Sequence, residues 1–227
     1  MYLEAVMKYL VVGDLHGNWE IAEKALAHEY LTLFVGDYFD SFTASPEDCI
    51  KTFRIVTDAA VNKQAIPLIG NHDYHYFGDG CFSSGYNHNT QLYADTMRMD
   101  ISGNGMFKYH VEIEGFLITH AGLSANFFGG EATREDVDTY LYEGDYLQVG
   151  PARGGYSPCG GILWCDYERE FKAIPGIKQI FGHSAGTEIR TKDKENYCID
   201  CVGSDNGVHV PYGLLIEDGK AEPFLIV

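Results

Sequence analysis

The sequence is poor in positive charge and contains no long apolar run. Its 227 residues carry 16 Lys and Arg against 33 Asp and Glu, a formal net charge of −17. Surfaces that hold nucleic acid or anionic membrane need clustered cations, so an extended nucleic-acid surface and a membrane partner are excluded. A compact phosphate-bearing substrate is not. No stretch approaches the roughly eighteen apolar residues of a membrane span. Met1 to Leu10 include Glu4 and Lys8 and lack the basic start and long apolar core of a secretory leader. The six cysteines are too scattered for a disulfide scaffold, and reduced thiols in a cytoplasmic protein are the expectation. Cys198 and Cys201 form a CxxC that could hold zinc with Cys159 and Cys165. That pair lies in an apolar, strand-like stretch, so buried free thiols are the better reading. Neither an internal repeat nor a low-complexity tail is present.

What is there alternates strand and helix. Tyr9 to Val12 is a short apolar run, and Ile21, Ala22, Ala25 and Leu26 then recur at helical spacing over Trp19 to His28. Leu31 to Val35 repeats the strand. Ser45-Pro46-Glu47-Asp48 supplies a cap, a first-turn proline and first-turn acids for a helix reaching about Val61. Ala65 to Ile69 is a third strand, and the repetition predicts right-handed crossovers in a mainly parallel sheet. The second half predicts a hairpin, Phe107 to Ile113 and Phe116 to Thr119 around Glu114-Gly115. Further strands are expected at Ile177 to Phe181, Tyr197 to Cys201, Gly213 to Ile216 and Pro223 to Val227. Length favours one α/β domain over residues 1–227, with loop or cap insertions at about 74–105 and 126–161.

The chemistry lies where the strands end. The first three run into Gly13-Asp14-Leu15-His16-Gly17, Gly36-Asp37-Tyr38-Phe39-Asp40 and Gly70-Asn71-His72-Asp73, and later ones into His120-Ala121-Gly122 and Gly182-His183. In open α/β sheets the ligand crevice lies beyond the carboxyl ends of the strands, so five such ends can converge. Carboxylate and amide oxygens with imidazole nitrogens, and no thiolates, suit manganese, iron or zinc. One metal would be oversupplied by Asp14, His16, Asp37, Asn71, His120 and His183. Two divalent ions about 3.5–4 Å apart, sharing one carboxylate, would use them all.

This ordered set, with His120-Ala121-Gly122-Leu123-Ser124, resembles the calcineurin-like metallophosphoesterase superfamily across most of the chain. Within it the chain is most similar to the phosphoprotein-phosphatase branch, which includes serine/threonine phosphatases and diadenosine tetraphosphatases. Leu163-Trp164-Cys165-Asp166 and Ile199-Asp200-Cys201 resemble elements of that branch, and Gly182-His183-Ser184-Ala185 lacks the second His found elsewhere.

The resemblance implies a four-layer α/β/β/α sandwich with a dinuclear site at the strand ends, manganese being favoured and iron or zinc possible. Asp14, His16 and Asp37 would hold one metal, and Asp37, Asn71, His120 and His183 the other. His72 would be the general acid, oriented by Asp40, and the nucleophile a metal-bridging hydroxide. The implied activity is hydrolysis of a phosphomonoester, carried on a phosphopeptide, small phosphoester or nucleotide. A phosphodiester or dinucleoside polyphosphate is the alternative.

The family's phosphatases follow Asp40 with an Arg that clamps phosphate, whereas this chain has Ser41-Phe42. Arg169, five residues after Trp164, is the nearest replacement and Arg153 the second. His75 is a third candidate substrate contact. Tyr74, Tyr76, Phe77, Phe82 and Tyr86 form an aromatic-rich insertion that could stack on a nucleobase or build a satellite core.

Overall fold

A computed structural model of the chain describes residues 7–77, 84–103, 105–201 and 212–227. Two five-stranded sheets form its centre. In the first, β1 (Tyr9–Val12), β2 (Leu31–Phe34) and β3 (Ala65–Pro67) run parallel. Between them pass the crossover helices α1 (Trp19–Leu26) and α2 (Pro46–Val61). The α2 start is the one expected, with Ser45 and Asp48 exchanging side-chain to backbone hydrogen bonds in a capping box. α1 ends at Leu26, a turn's fraction short of His28. Next come α3 (Asn71–Phe77) and α4 (His88–Gly103).

The second sheet contains β4 (His110–Ile113) and β5 (Phe116–Thr119), a hairpin whose turn places both Glu114 and Gly115 at positive φ. After α5 (Arg134–Glu143) come β6 (Lys178–Phe181), β7 (Arg190–Thr191) and β8 (Asn196–Cys198). The sheet order is β4-β5-β6-β8-β7. β9 (Tyr212–Glu217) and β10 (Lys220–Leu225) return to the first sheet and pair antiparallel beside β1. That sheet is therefore parallel only over its first three strands.

Strand alternation explains the layering. Val11, Leu33 and Val35 face Phe116, Ile118 and Ile180 of the other sheet, while Leu10, Val12 and Phe34 face α1 and α2. Leu117, on the outer face of the second sheet, packs with Val137, Tyr140 and Leu141 of α5. The result is the expected four-layer α/β/β/α sandwich.

The two stretches expected as insertions carry regular structure. Within 74–105 lie the end of α3 and all of α4, and within 126–161 lies α5. In the first, Tyr76, Tyr86, Phe39 and Phe53 pack on one another, with Tyr76 and Tyr86 rings stacked 5.4 Å apart. Tyr76 is buried in the core, so this part of the aromatic set is a packing cluster. Phe82 and Cys81 lie outside the described residues. Among the described residues no helix is long and apolar enough to cross a membrane.

Candidate metal centre

The loops that leave β1 and β2 are stitched together by main-chain bonds. The Leu15 and His16 N–H groups donate to the Asp37 carbonyl at 3.2 and 2.7 Å, and Gly17 N–H donates to Tyr38 O at 3.1 Å. On the facing sheet, Gly182 N–H donates to His120 O at 2.6 Å. The approach is close enough to require glycine at two points. A Cβ at Gly70 would meet the Asp37 carboxylate, and one at Gly182 the Asp14 carboxylate. His16, Asp37, Asp40 and His183 all adopt positive φ, between 43° and 66°. Left-handed backbone at a non-glycine residue costs about 1–2 kcal/mol, and four such residues around one point mark where the fold holds strain.

This scaffold brings six predicted residues together. Potential ligand atoms of Asp14, His16 and Asp37 lie within 4.8 Å of one another, as do those of Asp37, His120 and His183. Asp37 belongs to both groups. Asn71 lies between the two histidines, its Oδ1 2.9 Å from His120 Nε2 and 2.8 Å from His183 Nδ1.

The protonation geometry suits cations. His120 Nδ1–H donates to Val35 O at 3.0 Å, which leaves the Nε2 lone pair facing Asp37 Oδ2 at 3.4 Å. His16 Nδ1 lies 2.6 Å from Asp40 O, leaving Nε2 towards Asp37 Oδ2 at 3.6 Å and Asp14 Oδ2 at 4.0 Å. Lone pairs pointed at carboxylates repel unless positive charge lies between them. Burial pulls the His120 imidazole down to about 3 and His183 well below its usual range, so both are neutral, as metal ligands must be. The buried His183 Nε2 has no hydrogen-bond partner.

Two carboxylates that spacing did not reveal complete the cluster. Asp73 and Asp200 are as buried as Asp14 and Asp37. Burial, reinforced by the other acids, pushes Asp14 and Asp37 well above the usual carboxylate range, and burial also raises Asp200. Burial likewise pushes Asp73 up to about 7, even though it accepts N–H bonds from Asp37, Tyr38, Phe39 and Gly70. Four acids are buried at this point, and two divalent ions would supply compensating positive charge.

A cavity of about 920 Å³ opens at this cluster, with His16, Asp37, Asn71, His72 and His183 in its lining. His72 lines this cavity, and its Nδ1 lies 3.0 Å from Asp40 Oδ2. Burial pulls the His72 imidazole below its ordinary value, and the bond to Asp40 opposes the shift. Burial alone would raise Asp40, but hydrogen bonds from His72, His75 and Tyr76 more than offset it and hold the carboxyl at about 2.

The candidate substrate contacts separate. Arg153 lines the cavity, its Nε 3.2 Å from Asp166 Oδ2 and one terminal nitrogen 3.4 Å from Ser184 Oγ. Arg169 instead turns to the Ala152 carbonyl at 3.4 Å and is not in the cavity lining. His75 Nε2 sits 2.7 Å from Asp40 Oδ2 with a fully buried side chain, behind His72 rather than beside a substrate. Elsewhere, Cys159 and Cys165 lie buried with Glu170, while Cys198 and Cys201 join no such group among the described residues.

Residues 7–186 match the family model described as calcineurin-like phosphoesterase. The chain belongs to that family. It is therefore a phosphoesterase, and its family's metal dependence agrees with the ligand groups around Asp37. Among solved structures it is similar to a cold-active protein-tyrosine phosphatase of a psychrophilic Shewanella species, with a TM-score of 0.59 at 15% identity over 96% of this chain and 80% of that one. A protein serine/threonine phosphatase from Saccharomyces cerevisiae gives 0.57 at 14% identity, covering 99% and 81%. A structure described as a putative diadenosine tetraphosphatase gives 0.50 at 14%, covering 99% and 96%. At such identities these likenesses show the fold. No curated protein sequence matches the chain.

Proposed function

We propose that this phosphoesterase is a dinuclear phosphomonoesterase of the phosphoprotein-phosphatase type. The observation that carries the reading is the sharing of Asp37 by two ligand groups beneath a cavity that also presents His72. Asp14, His16 and Asp37 would hold one divalent ion, and Asp37, Asn71, His120 and His183 the second. When bound, these ions supply Lewis-acid polarisation of phosphoryl oxygens and make water acidic enough to ionise near neutral pH.

The chain's own residues do the rest. Arg153 offers a guanidinium to a phosphoryl oxygen and is aimed by the Asp166 carboxylate. It takes the place of the missing Arg after Asp40. His72 carries the proton for the leaving oxygen at Nε2. Asp40 fixes the ring through Nδ1 and favours its charged form, and the phosphate's own negative charge adds to that effect. His75 and Tyr76, both bonded to Asp40, hold that carboxylate in place.

The test is phosphate release by protein loaded in turn with manganese, iron and zinc. Substrates are an aryl phosphate, a phosphoserine peptide, bis-aryl phosphate and diadenosine tetraphosphate. Turnover of the monoesters well above the other two is expected, and His72→Asn sets the baseline. Faster cleavage of the diester or the dinucleotide overturns the monoester assignment, and no turnover of any substrate with any metal overturns the reading as a whole.

A further inference from the structure

The buried Glu170 carboxylate gathers main chain from two segments that meet at the cavity's arginine. Its Oε1 accepts the Ala152 N–H at 3.1 Å, and its Oε2 accepts the Gly160 and Asp166 N–H groups at 3.0 and 3.2 Å. Ala152 directly precedes Arg153, and Asp166 is the acid whose Oδ2 lies 3.2 Å from Arg153 Nε. One buried anion therefore fixes both the backbone that carries the guanidinium and the backbone that carries the acid aiming it. N–H bonds to a carboxylate are stronger than neutral ones, and all three weaken together if the charge is removed.

Glu170 is itself held against the second sheet. Its carbonyl accepts the Ser124 hydroxyl at 2.7 Å and the Asn126 side-chain N–H at 2.9 Å, both from the loop that follows β5 and His120. The position of Arg153 is thus set from the strand end that carries a member of the ligand groups. The Arg153 loop also closes tightly on the carboxylate, because a Cβ at Gly150 would meet Glu170 Oε1. Glu170 does not line the cavity. Resting on the reading of Arg153 as the phosphate clamp, we propose that Glu170 is a positioning residue that sets affinity for the substrate's phosphoryl group through Arg153.

Binding of inorganic phosphate to the manganese-loaded protein is measured by calorimetry, beside kcat and KM on an aryl phosphate. The proteins are the parent, Glu170→Gln, Gly150→Ala, Arg153→Ala and the double variant Glu170→Gln with Arg153→Ala. Glu170→Gln keeps the shape but replaces one acceptor oxygen with an NH2 group, and should weaken phosphate binding and raise KM about tenfold with kcat within about twofold. Gly150→Ala keeps the carboxylate but forces it from the loop, and should act in the same direction. In the Arg153→Ala background the Glu170 substitution should change phosphate affinity by less than about twofold, because both act through one contact. A purely structural role would weaken binding equally in both backgrounds, and that result overturns the proposal. If Arg153→Ala weakens phosphate binding while Glu170→Gln and Gly150→Ala leave it as in the parent, this proposal alone falls. If Arg153→Ala binds phosphate as the parent does, the clamp reading falls with it.

Discussion

The Asp73 carboxylate lies under the turn that carries Asp37, with Oδ2 accepting the Asp37 N–H at 2.7 Å. Its other oxygen takes the Tyr38 and Phe39 N–H groups at 2.8 and 3.3 Å, and Oδ2 also takes Gly70 N–H at 2.9 Å. One side chain thereby fixes two of the loops that meet at the cluster. Each buried N–H left without a partner costs about 1–3 kcal/mol. Asp73→Ala should therefore lose about 3 kcal/mol or more of stability and weaken metal binding, read from denaturant midpoints and metal titration. Asp73→Asn, which keeps acceptor capacity on one oxygen, should fall between.

The proton-transfer pair predicts a leaving-group effect. His72→Asn should lower kcat by about 10²- to 10⁴-fold on an alkyl phosphate, the range for loss of a general acid. The loss should be smaller on p-nitrophenyl phosphate, whose leaving oxygen needs little protonation. Asp40→Asn should follow the same pattern in steady-state assays.

Asp40 also gives a stability signature. Its folded pKa of about 2 lies below the unfolded value of 3.8, so its contribution is present above the unfolded value and lost as pH falls towards 2. The melting-temperature gap between the parent and Asp40→Asn should be full at pH 5 to 6 and shrink between about pH 4 and pH 2.

Arg153 and Arg169 should behave differently. Loss of a charge-assisted contact costs about 1.5–3 kcal/mol, so Arg153→Ala should raise KM about tenfold to a hundredfold. Asp166→Asn, which leaves the guanidinium but removes its orienting carboxylate, should have a smaller effect of the same kind. Arg169→Ala should leave KM within about twofold, because its side chain serves the Ala152 carbonyl.

Metal removal should expose the buried acids. Asp73 titrates near 7 in the folded chain against 3.8 unfolded, so its contribution is complete below the unfolded value and is lost as pH rises through 7. Asp14 and Asp37 shift in the same direction. Protons compete with cations for these groups, so added manganese should raise the melting temperature more at pH 8 than at pH 5. Calorimetric scans at the two pH values check this.

Much of the centre was legible because its ligands sit at the ends of short apolar strands and are announced by glycine. Asp14, Asp37, Asn71 and His183 all follow that rule, and His120 has its glycine two residues later. Asp73 and Asp200 were harder to read because their partners are backbone N–H groups or other acids brought near only by the sandwich. Asp73 was legible as a motif position but not as the support for two loops, and Asp200 stood only in a strand resemblance. Glu170 carried no local sign at all, since the N–H groups it accepts belong to Ala152, Gly160 and Asp166. The order of Arg153 and Arg169 followed distance from Trp164 along the chain, whereas the Asp166 carboxylate draws Arg153 to the cavity. Residues 74–105 looked irregular because the described α4 has a weak apolar stripe and packs chiefly on α3 and α2 rather than on a sheet.

The central claim is that Asp37 joins two cation sites. Metal content after manganese loading and gel filtration, measured by inductively coupled plasma mass spectrometry on the parent, His16→Gln, His120→Gln and Asp37→Asn, tests it most directly. The account predicts about two ions per chain in the parent, about one in each histidine variant and close to none in Asp37→Asn. A parent that holds one ion or fewer, or an Asp37→Asn protein that keeps both, would contradict it.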